Sequence, residues 1–288
     1  MGKRKPRPTP VLPDPLPGLV DAHTHLYSCG HRSADEVRAA ADRAALAGVA
    51  AIVTVGDDLA ESEAVVAAAE ADERVYAAVA VHPTRAREAT DPDTGPAVRD
   101  RLAELAAHPR VVAVGETGLD HYWVGKMDGC ADPAEQEESL RWHAGLAADV
   151  GKCLMIHNRE ADDDLMRVLA EVAGPESGVP SVMLHCFSSP LDVAKEALDR
   201  GYVLSFTGNV TFKANDHLRE AARIAPAGQL LVETDAPYMA PEPFRGARNE
   251  VSLVGYTARA IAEVRGQEPE EFAAEVAETA RGLFGLTV

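Results

Sequence analysis

The chain of 288 residues has few cysteines, no long apolar run and little positive charge. Its cysteines show no paired CxxC spacing and fall in unrelated segments, so the sequence indicates neither a disulfide framework nor a structural zinc knuckle. This usage favours a reducing compartment, and we expect the protein in the cytoplasm. The four cysteines are Cys29, Cys130, Cys153 and Cys186.

No apolar run is long enough to cross a bilayer, and nothing in the sequence indicates membrane binding or an obligate protein partner. The N-terminal segment contains basic residues, but it is rich in proline and lacks the apolar stretch of a secretory signal peptide. We therefore predict a flexible, proline-rich arm over residues 1–18 and a single domain over residues 19–288.

Acidic residues far outnumber basic ones. The chain has 28 Lys plus Arg against 46 Asp plus Glu, a formal net charge of −18. A net negative charge disfavours non-specific binding of the protein along nucleic acid. A polyanionic substrate would need a local cationic patch or bound metal to overcome the long-range repulsion.

Short β-branched runs alternate with longer Ala-rich amphipathic segments from residue 19 almost to the C-terminus. Such units imply parallel strands joined by helices, and eight of them suggest closure into a (β/α)₈ barrel of about 250 residues. An open doubly wound sheet is the structural alternative. Residues 251–288 are expected to form two further helices, the first completing the barrel. The predicted strands are LVDAHTHL, VAAIVTVG, VYAAVAVHP, VVAVGETGLD, CLMIHNR, SVMLHCF, YVLSFTG and LLVETDAP.

The helices carry recognisable start signals. Ser33 and Glu36 have the spacing of a capping box. Asp132 and Ser189 each precede a proline, which favours an N-cap followed by proline at the first helical position.

The first predicted strand places Asp21, His23 and His25 at alternate positions. Residues two apart on a strand face the same side, so the three side chains are expected to converge. Buried without partners they would be strongly destabilising. A metal ion is one partner that satisfies them, and a hydrogen-bonded Asp/His cluster in an ordinary core is the alternative.

Potential metal ligands occur at the C-terminal ends of five predicted strands. In a closed barrel these ends form one mouth, where the catalytic groups of such barrels collect. Four imidazoles and two carboxylates are too many for one tetrahedral ion but suit two ions that share a bridging carboxylate. Glu116 is the expected bridge, and Asp235 is expected to bind one ion and hold the attacking water. The full set is His23, His25, Glu116, His157, His185 and Asp235.

With these motifs the sequence resembles the TatD group of metal-dependent deoxyribonucleases, which belong to the amidohydrolase-like barrels. The resemblance runs through LVDAHTHL, VHP, VGETGLDHYW, MIHNREADDDLMRVL, HCFSS, TGNVTFK and ETDAPYMAPEPFRGARNE, most of the chain. It implies a two-metal phosphodiesterase whose ligands fall on the same six residues. The chain departs from the family pattern at Thr84, Ser189 and Ala247, which puts the substrate contacts in question but removes no ligand.

Phosphodiester hydrolysis needs cationic groups near the phosphate. Arginine grips phosphate bidentately, and four basic residues follow strand ends in the predicted mouth. Tyr122 could stack on a base or sugar, because stacking on aromatic rings tolerates any base. Solvated loop positions or salt bridges to the acidic surface are the alternative for the cations. These four residues are Arg159, Lys213, Arg245 and Arg248.

The preferred function is a nuclease that acts on DNA ends or single strands, since a barrel mouth is a pit and not a long duplex groove. Asp235 would act as general base and Glu116 would bridge two divalent ions, with Zn, Mn or Mg as candidates and the histidines favouring Zn or Mn. The alternative is a binuclear hydrolase of a small ester, lactone, amide or phosphotriester. Many such barrels bridge their metals with a carboxylated lysine where this chain has Glu116. A metal-binding scaffold without activity is a third reading.

Overall fold

The computed structural model describes residues 8–287 and contains one sheet of eight parallel strands. Every strand pairs with the strand that follows it along the chain, in the order of the sequence. The strands are β1 (Leu19–Thr24), β2 (Val49–Val55), β3 (Val75–Val79), β4 (Val111–Asp120), β5 (Cys153–Arg159), β6 (Val182–Leu184), β7 (Val203–Phe206) and β8 (Leu230–Val232).

The end of β1 and the segment after β8 meet at a seam made by two backbone hydrogen bonds. His25 N–H donates to Ala236 O at 2.8 Å, and Asp235 N–H donates to His23 O at 2.9 Å. These bonds close the sheet, and the strand order lacks the reversal of a doubly wound sheet. The prediction of a (β/α)₈ barrel is therefore confirmed.

Helices connect successive strands, with two of them between β3 and β4. The segment after β8 forms α9 and α10, as the sequence predicts. The helices are α1 (Ala34–Ala45), α2 (Leu59–Ala71), α3 (Arg87–Thr90), α4 (Gly95–Ala106), α5 (Pro133–Val150), α6 (Asp162–Val172), α7 (Leu191–Asp199), α8 (Asp216–Ile224), α9 (Val254–Arg265) and α10 (Pro269–Phe284).

Two of the three predicted helix starts are confirmed. Ser33 and Glu36 form a capping box at α1, and Asp132 caps α5 with Pro133 as its first residue. The prediction for Ser189 is wrong, because the N-cap of α7 is Pro190 and no side chain caps this helix. The Ser189 hydroxyl instead accepts a hydrogen bond from Asn158 Nδ2 at 3.0 Å.

Two apolar layers hold the barrel together. The outer layer packs the helices on the strands, and the inner one fills the barrel with side chains such as Val53, Met155 and Met183. Phe284, the last residue of α10, and Leu286, two residues further on, pack into the inner layer. The filled interior leaves the C-terminal ends of the strands as the place where polar side chains gather.

The strict alternation expected along β1 is not kept. The pairing of β1 with β2 shifts register between Asp21 and Thr24, so Asp21 does not join His23 and His25. Its carboxylate accepts hydrogen bonds from Thr234, at 2.8 Å from the backbone N–H and 2.5 Å from the hydroxyl. Asp21 thus fastens β1 to the segment after β8.

Part of the predicted N-terminal arm, residues 1–7, lies outside the described residues. Further along, Leu16 is fully buried and its N–H donates to Ala47 O at 3.0 Å. The Tyr256 hydroxyl donates to Val11 O at 3.1 Å, so this segment contacts both the barrel and α9. Among residues 8–287, no helix has the length and apolar character needed to span a membrane.

Candidate metal centre

The six predicted ligands come together at one end of the barrel. They lie on or just after five of the strands: His23 and His25 on β1 and directly after it, and the other four in the middle of β4, at the end of β5, and shortly after β6 and β8. Five of them are buried and His157 is partly exposed. The group comprises His23, His25, Glu116, His157, His185 and Asp235.

Glu116 lies between two pairs of imidazoles. Its Oε1 is 3.7 Å from His23 Nε2 and 3.4 Å from His25 Nε2. Its Oε2 is 3.2 Å from His157 Nδ1 and 2.6 Å from His185 Nε2. One carboxylate oxygen therefore faces each pair, which is the arrangement that a bridging ligand requires.

Asp235 lies on the His23/His25 side of the centre. Its Oδ1 is 3.4 Å from His25 Nε2 and 3.9 Å from His23 Nε2. The residue has a φ of 52°, in the left-handed region that non-glycine residues adopt at a cost. Its N–H bond to His23 O holds this backbone in place. The backbone of Asp235 is therefore held in a strained conformation that directs this carboxylate toward the histidines.

Charge interactions dominate the centre. Burial alone would raise the pKa of Glu116, but the facing imidazoles of His185 and His23 hold that pKa well below its ordinary value. Burial would lower the pKa of His25, yet Asp57, Asp235 and Glu116 together raise it to about 10. The carboxylates around His25 therefore stabilise positive charge at this place.

The residues present fit divalent cations. His23 Nε2 and His25 Nε2 are 3.1 Å apart and both face Glu116 Oε1 and Asp235 Oδ1, so several donor atoms converge on one small volume. Groups able to hold an ion include His23, His25 and Asp235 on one side, and Glu116, His157 and His185 on the other. Imidazole and carboxylate donors suit Zn, Mn and related ions.

Three further carboxylates contact the outer nitrogens of these histidines, and sequence reasoning missed them. Asp57 Oδ1 lies 3.4 Å from His25 Nδ1, Asp120 Oδ2 lies 3.0 Å from His157 Nε2, and Glu233 Oε1 lies 3.3 Å from His185 Nδ1. Such partners orient the rings of metal-bound histidines and increase their basicity. All three occur at the ends of β2, β4 and β8, so the positional argument that found the ligands could also have found them.

His82, in the loop after β3, lies beside this centre with its ring centroid 4.5 Å from that of His157. Burial lowers the pKa of His82 to about 3. Its Nδ1 accepts a hydrogen bond from the backbone N–H of Thr84 at 3.2 Å, which leaves the proton of the neutral ring on Nε2. The backbone N–H of Thr84 thus sets the tautomer of His82.

The predicted substrate-contacting cations have no acidic partners: within residues 8–287, no carboxylate forms an ion pair with any of the four. Arg159 lies over the Tyr122 ring, with 3.8 Å from Cζ to the centroid, and Arg245 lies over Phe212 at 4.2 Å. Arg248 Nη2 donates to Ser28 O at 3.0 Å, and Lys213 is exposed. The structure therefore brings Arg159 and Tyr122 together but shows no contact between this pair and the other three.

The closed barrel and its cluster of imidazoles and carboxylates define a metal-dependent hydrolase. Residues 20–285 match the family described as TatD related DNase. The chain therefore belongs to the TatD family.

Relatives support this assignment along nearly the whole chain. A protein of Mycobacterium tuberculosis named uncharacterized metal-dependent hydrolase TatD is 53% identical over 93% of this chain and 98% of its own length. A Klebsiella pneumoniae protein named 3'-5' ssDNA/RNA exonuclease TatD is 32% identical over 89% and 94%. The crystal structure of the TatD homologue YJJV from Escherichia coli superimposes with a TM-score of 0.80 at 27% identity, covering 94% of this chain and 99% of that one.

Proposed function

We propose that the protein is a two-metal phosphodiesterase that hydrolyses DNA at ends or in single strands. The position of Glu116 carries this proposal, because its two oxygens face separate pairs of histidines. The relative from Klebsiella pneumoniae whose name describes a single-strand exonuclease adds support for a nucleic acid substrate.

The six clustered residues would hold the ions. His23, His25 and Asp235 form one side and His157 and His185 the other, with Glu116 shared between them. When bound, a pair of divalent ions lowers the pKa of water and neutralises phosphoryl oxygens in the transition state. The outer carboxylates Asp57, Asp120 and Glu233 keep the imidazoles directed inward.

Asp235 would accept the proton of the attacking water. Its carboxylate lies at the edge of the cluster, 3.4 Å from His25 Nε2, and it is held by the seam between β1 and the segment after β8. A general base must stay within hydrogen-bond reach of the proton that it removes, and a fixed backbone serves this purpose.

The unpaired cations would bind the substrate. Arg159, Lys213, Arg245 and Arg248 provide positive charge at the mouth of a protein whose formal net charge is −18, and Tyr122 offers a ring for stacking. Local positive charge of this kind offsets the repulsion between an acidic surface and a polyanion.

The proposal is tested with end-labelled single-stranded DNA and a panel of small esters, amides and lactones, each incubated with the metal-loaded protein and with Asp235→Asn. We expect hydrolysis of the DNA and a loss of about 10²–10⁴-fold in the variant, the range of general-base catalysis. Hydrolysis of small substrates alone would support the alternative reading. Metal binding with no hydrolysis of any substrate would support the third alternative, a metal-binding scaffold without activity.

We further propose a cytoplasmic location. All four cysteines are free, and Cys153 is buried. Free thiols in separate parts of the fold suit a reducing compartment.

A further inference from the structure

Tyr122 and Lys126, in the loop between β4 and α5, form a cluster with Arg159, the last residue of β5. Lys126 Nζ lies 3.8 Å from the centroid of the Tyr122 ring, and Arg159 Cζ lies 3.8 Å from the same centroid. Arg159 also lies 5.6 Å from the centroid of Trp123. We call Tyr122, Lys126 and Arg159 the tyrosine–cation cluster.

The positive charge of this cluster is not neutralised by the part of the chain that the structure describes, because neither Lys126 nor Arg159 forms an ion pair there. The surface arginines Arg141 and Arg167, by contrast, both pair with glutamates. A tyrosine ring attracts a cation through its quadrupole but carries no net charge. The cluster therefore keeps two positive charges available to an anion.

The cluster borders the metal centre. Asp120 Oδ1 accepts a hydrogen bond from Trp123 N–H at 3.0 Å, and its Oδ2 lies 3.0 Å from His157 Nε2. His121 N–H donates to Arg159 O at 2.9 Å. One carboxylate therefore positions both the aromatic loop and a candidate ligand, so a chain bound at the centre would pass next to the cluster.

We propose that the tyrosine–cation cluster is a subsite for a phosphodiester group neighbouring the one that is hydrolysed, in a single-stranded nucleic acid. This inference rests on the proposed function and adds Lys126 to it. Lysine binds phosphate oxygens as a point charge and arginine binds them through its planar fork of N–H donors, so both cations of the cluster suit a phosphodiester group. The subsite would make the enzyme prefer oligonucleotides to isolated phosphodiesters.

The test compares Lys126→Gln with the wild-type holoenzyme on two substrates, a single-stranded oligonucleotide and bis(4-nitrophenyl) phosphate, which has no neighbouring phosphate. We expect the ratio of kcat/KM on the oligonucleotide to that on the small diester to fall about tenfold, because a phosphate contact is lost. The slope of log kcat/KM against log salt on the oligonucleotide should become shallower by about 0.7, the value for one contact to a single strand.

Lys195→Gln is the matched control, since Lys195 is exposed on α7 outside the mouth, and it should change neither quantity. Tyr122→Phe should retain most of the preference, while Tyr122→Leu should lose it together with the ring that holds the cations. An unchanged ratio and slope in Lys126→Gln, with oligonucleotide hydrolysis intact, would overturn the subsite alone. A wild-type enzyme that hydrolyses no oligonucleotide would overturn the proposed function as well.

Discussion

Asp120 Oδ2 lies 3.0 Å from His157 Nε2, while the other nitrogen of the same ring, Nδ1, lies 3.2 Å from Glu116 Oε2. The imidazole is thus held from behind by one carboxylate and faces the centre with its other edge. His185 is held in the same way, by Glu233. The histidines of the centre are therefore oriented by contacts that do not depend on a bound cation.

Replacement of Asp120 by asparagine should weaken metal binding about 10–100-fold, the usual loss when a carboxylate behind a metal-bound histidine is removed. The variant keeps an oxygen that can accept from Trp123 N–H, so the loop should stay in place. Isothermal titration with Zn²⁺ or Mn²⁺ measures the effect. Asp128→Asn, an exposed change in the same loop, is the control, and equal affinities for wild type and Asp120→Asn would refute the orienting role.

In the proposed two-metal centre, replacement of Glu116 by glutamine should reduce the metal content from two ions per chain to one or none, because the amide cannot offer two anionic oxygens to both histidine pairs. Elemental analysis after gel filtration measures the content directly. Glu104→Gln, on the surface of α4, should retain both ions. A Glu116→Gln protein with two tightly bound ions would show that this carboxylate is not the bridge.

Replacement of Asp21 by alanine should destabilise the barrel by about 2–4 kcal/mol, because the buried N–H and hydroxyl of Thr234 both lose their acceptor. Asp21→Asn keeps one acceptor and should cost less. Urea unfolding measures the free energy, with the exposed Asp149→Ala as control. If Asp21→Ala unfolded at the same urea concentration as the wild type, the stability of the seam would not depend on this carboxylate.

His143 should make stability depend on pH. It is fully buried on α5, where its Nε2 accepts from Val81 N–H at 3.1 Å, and burial lowers its pKa from 6.5 to about 4. The unfolded chain therefore binds a proton between pH 6.5 and 4 that the folded chain does not bind. Protonation of His143 in the unfolded chain therefore leaves the free energy of unfolding unchanged above pH 6.5. It lowers that free energy as the pH falls toward 4, by about 3 kcal/mol in total.

Thermal unfolding of wild type and His143→Gln over this pH range tests whether His143 causes this pH dependence of stability. The variant should be less stable at pH 7, and its stability should fall less steeply between pH 6.5 and 4. Parallel pH profiles for the two proteins would contradict it. His108→Gln, which removes a partly exposed histidine at the other end of the barrel, serves as control.

The barrel and the convergence of the six candidate ligands follow from the sequence because parallel strands bring their C-terminal ends to one edge. Glu116 and His185 are far apart in the chain, yet each stands at or near the end of an apolar run, and that position alone places them in the mouth. No knowledge of side-chain contacts is needed for this step.

Local departures from regular geometry could not be predicted in this way. Asp21 has the same spacing as the two histidines, but a register shift in β1 turns it to Thr234. Ser189 precedes proline as Asp132 does, yet its hydroxyl bonds to Asn158 and leaves Pro190 as the N-cap. Both outcomes depend on partners from distant strands, which periodicity does not encode.

The seam between β1 and the segment after β8 makes the centre a property of the whole polypeptide. Two of its histidines belong to the first strand of the barrel and the residue after it, and Asp235 follows the last strand. A nascent or truncated chain that stops short of β8 lacks both the seam and the aspartate, so tight binding of metal would mark a chain in which all eight strands have been made.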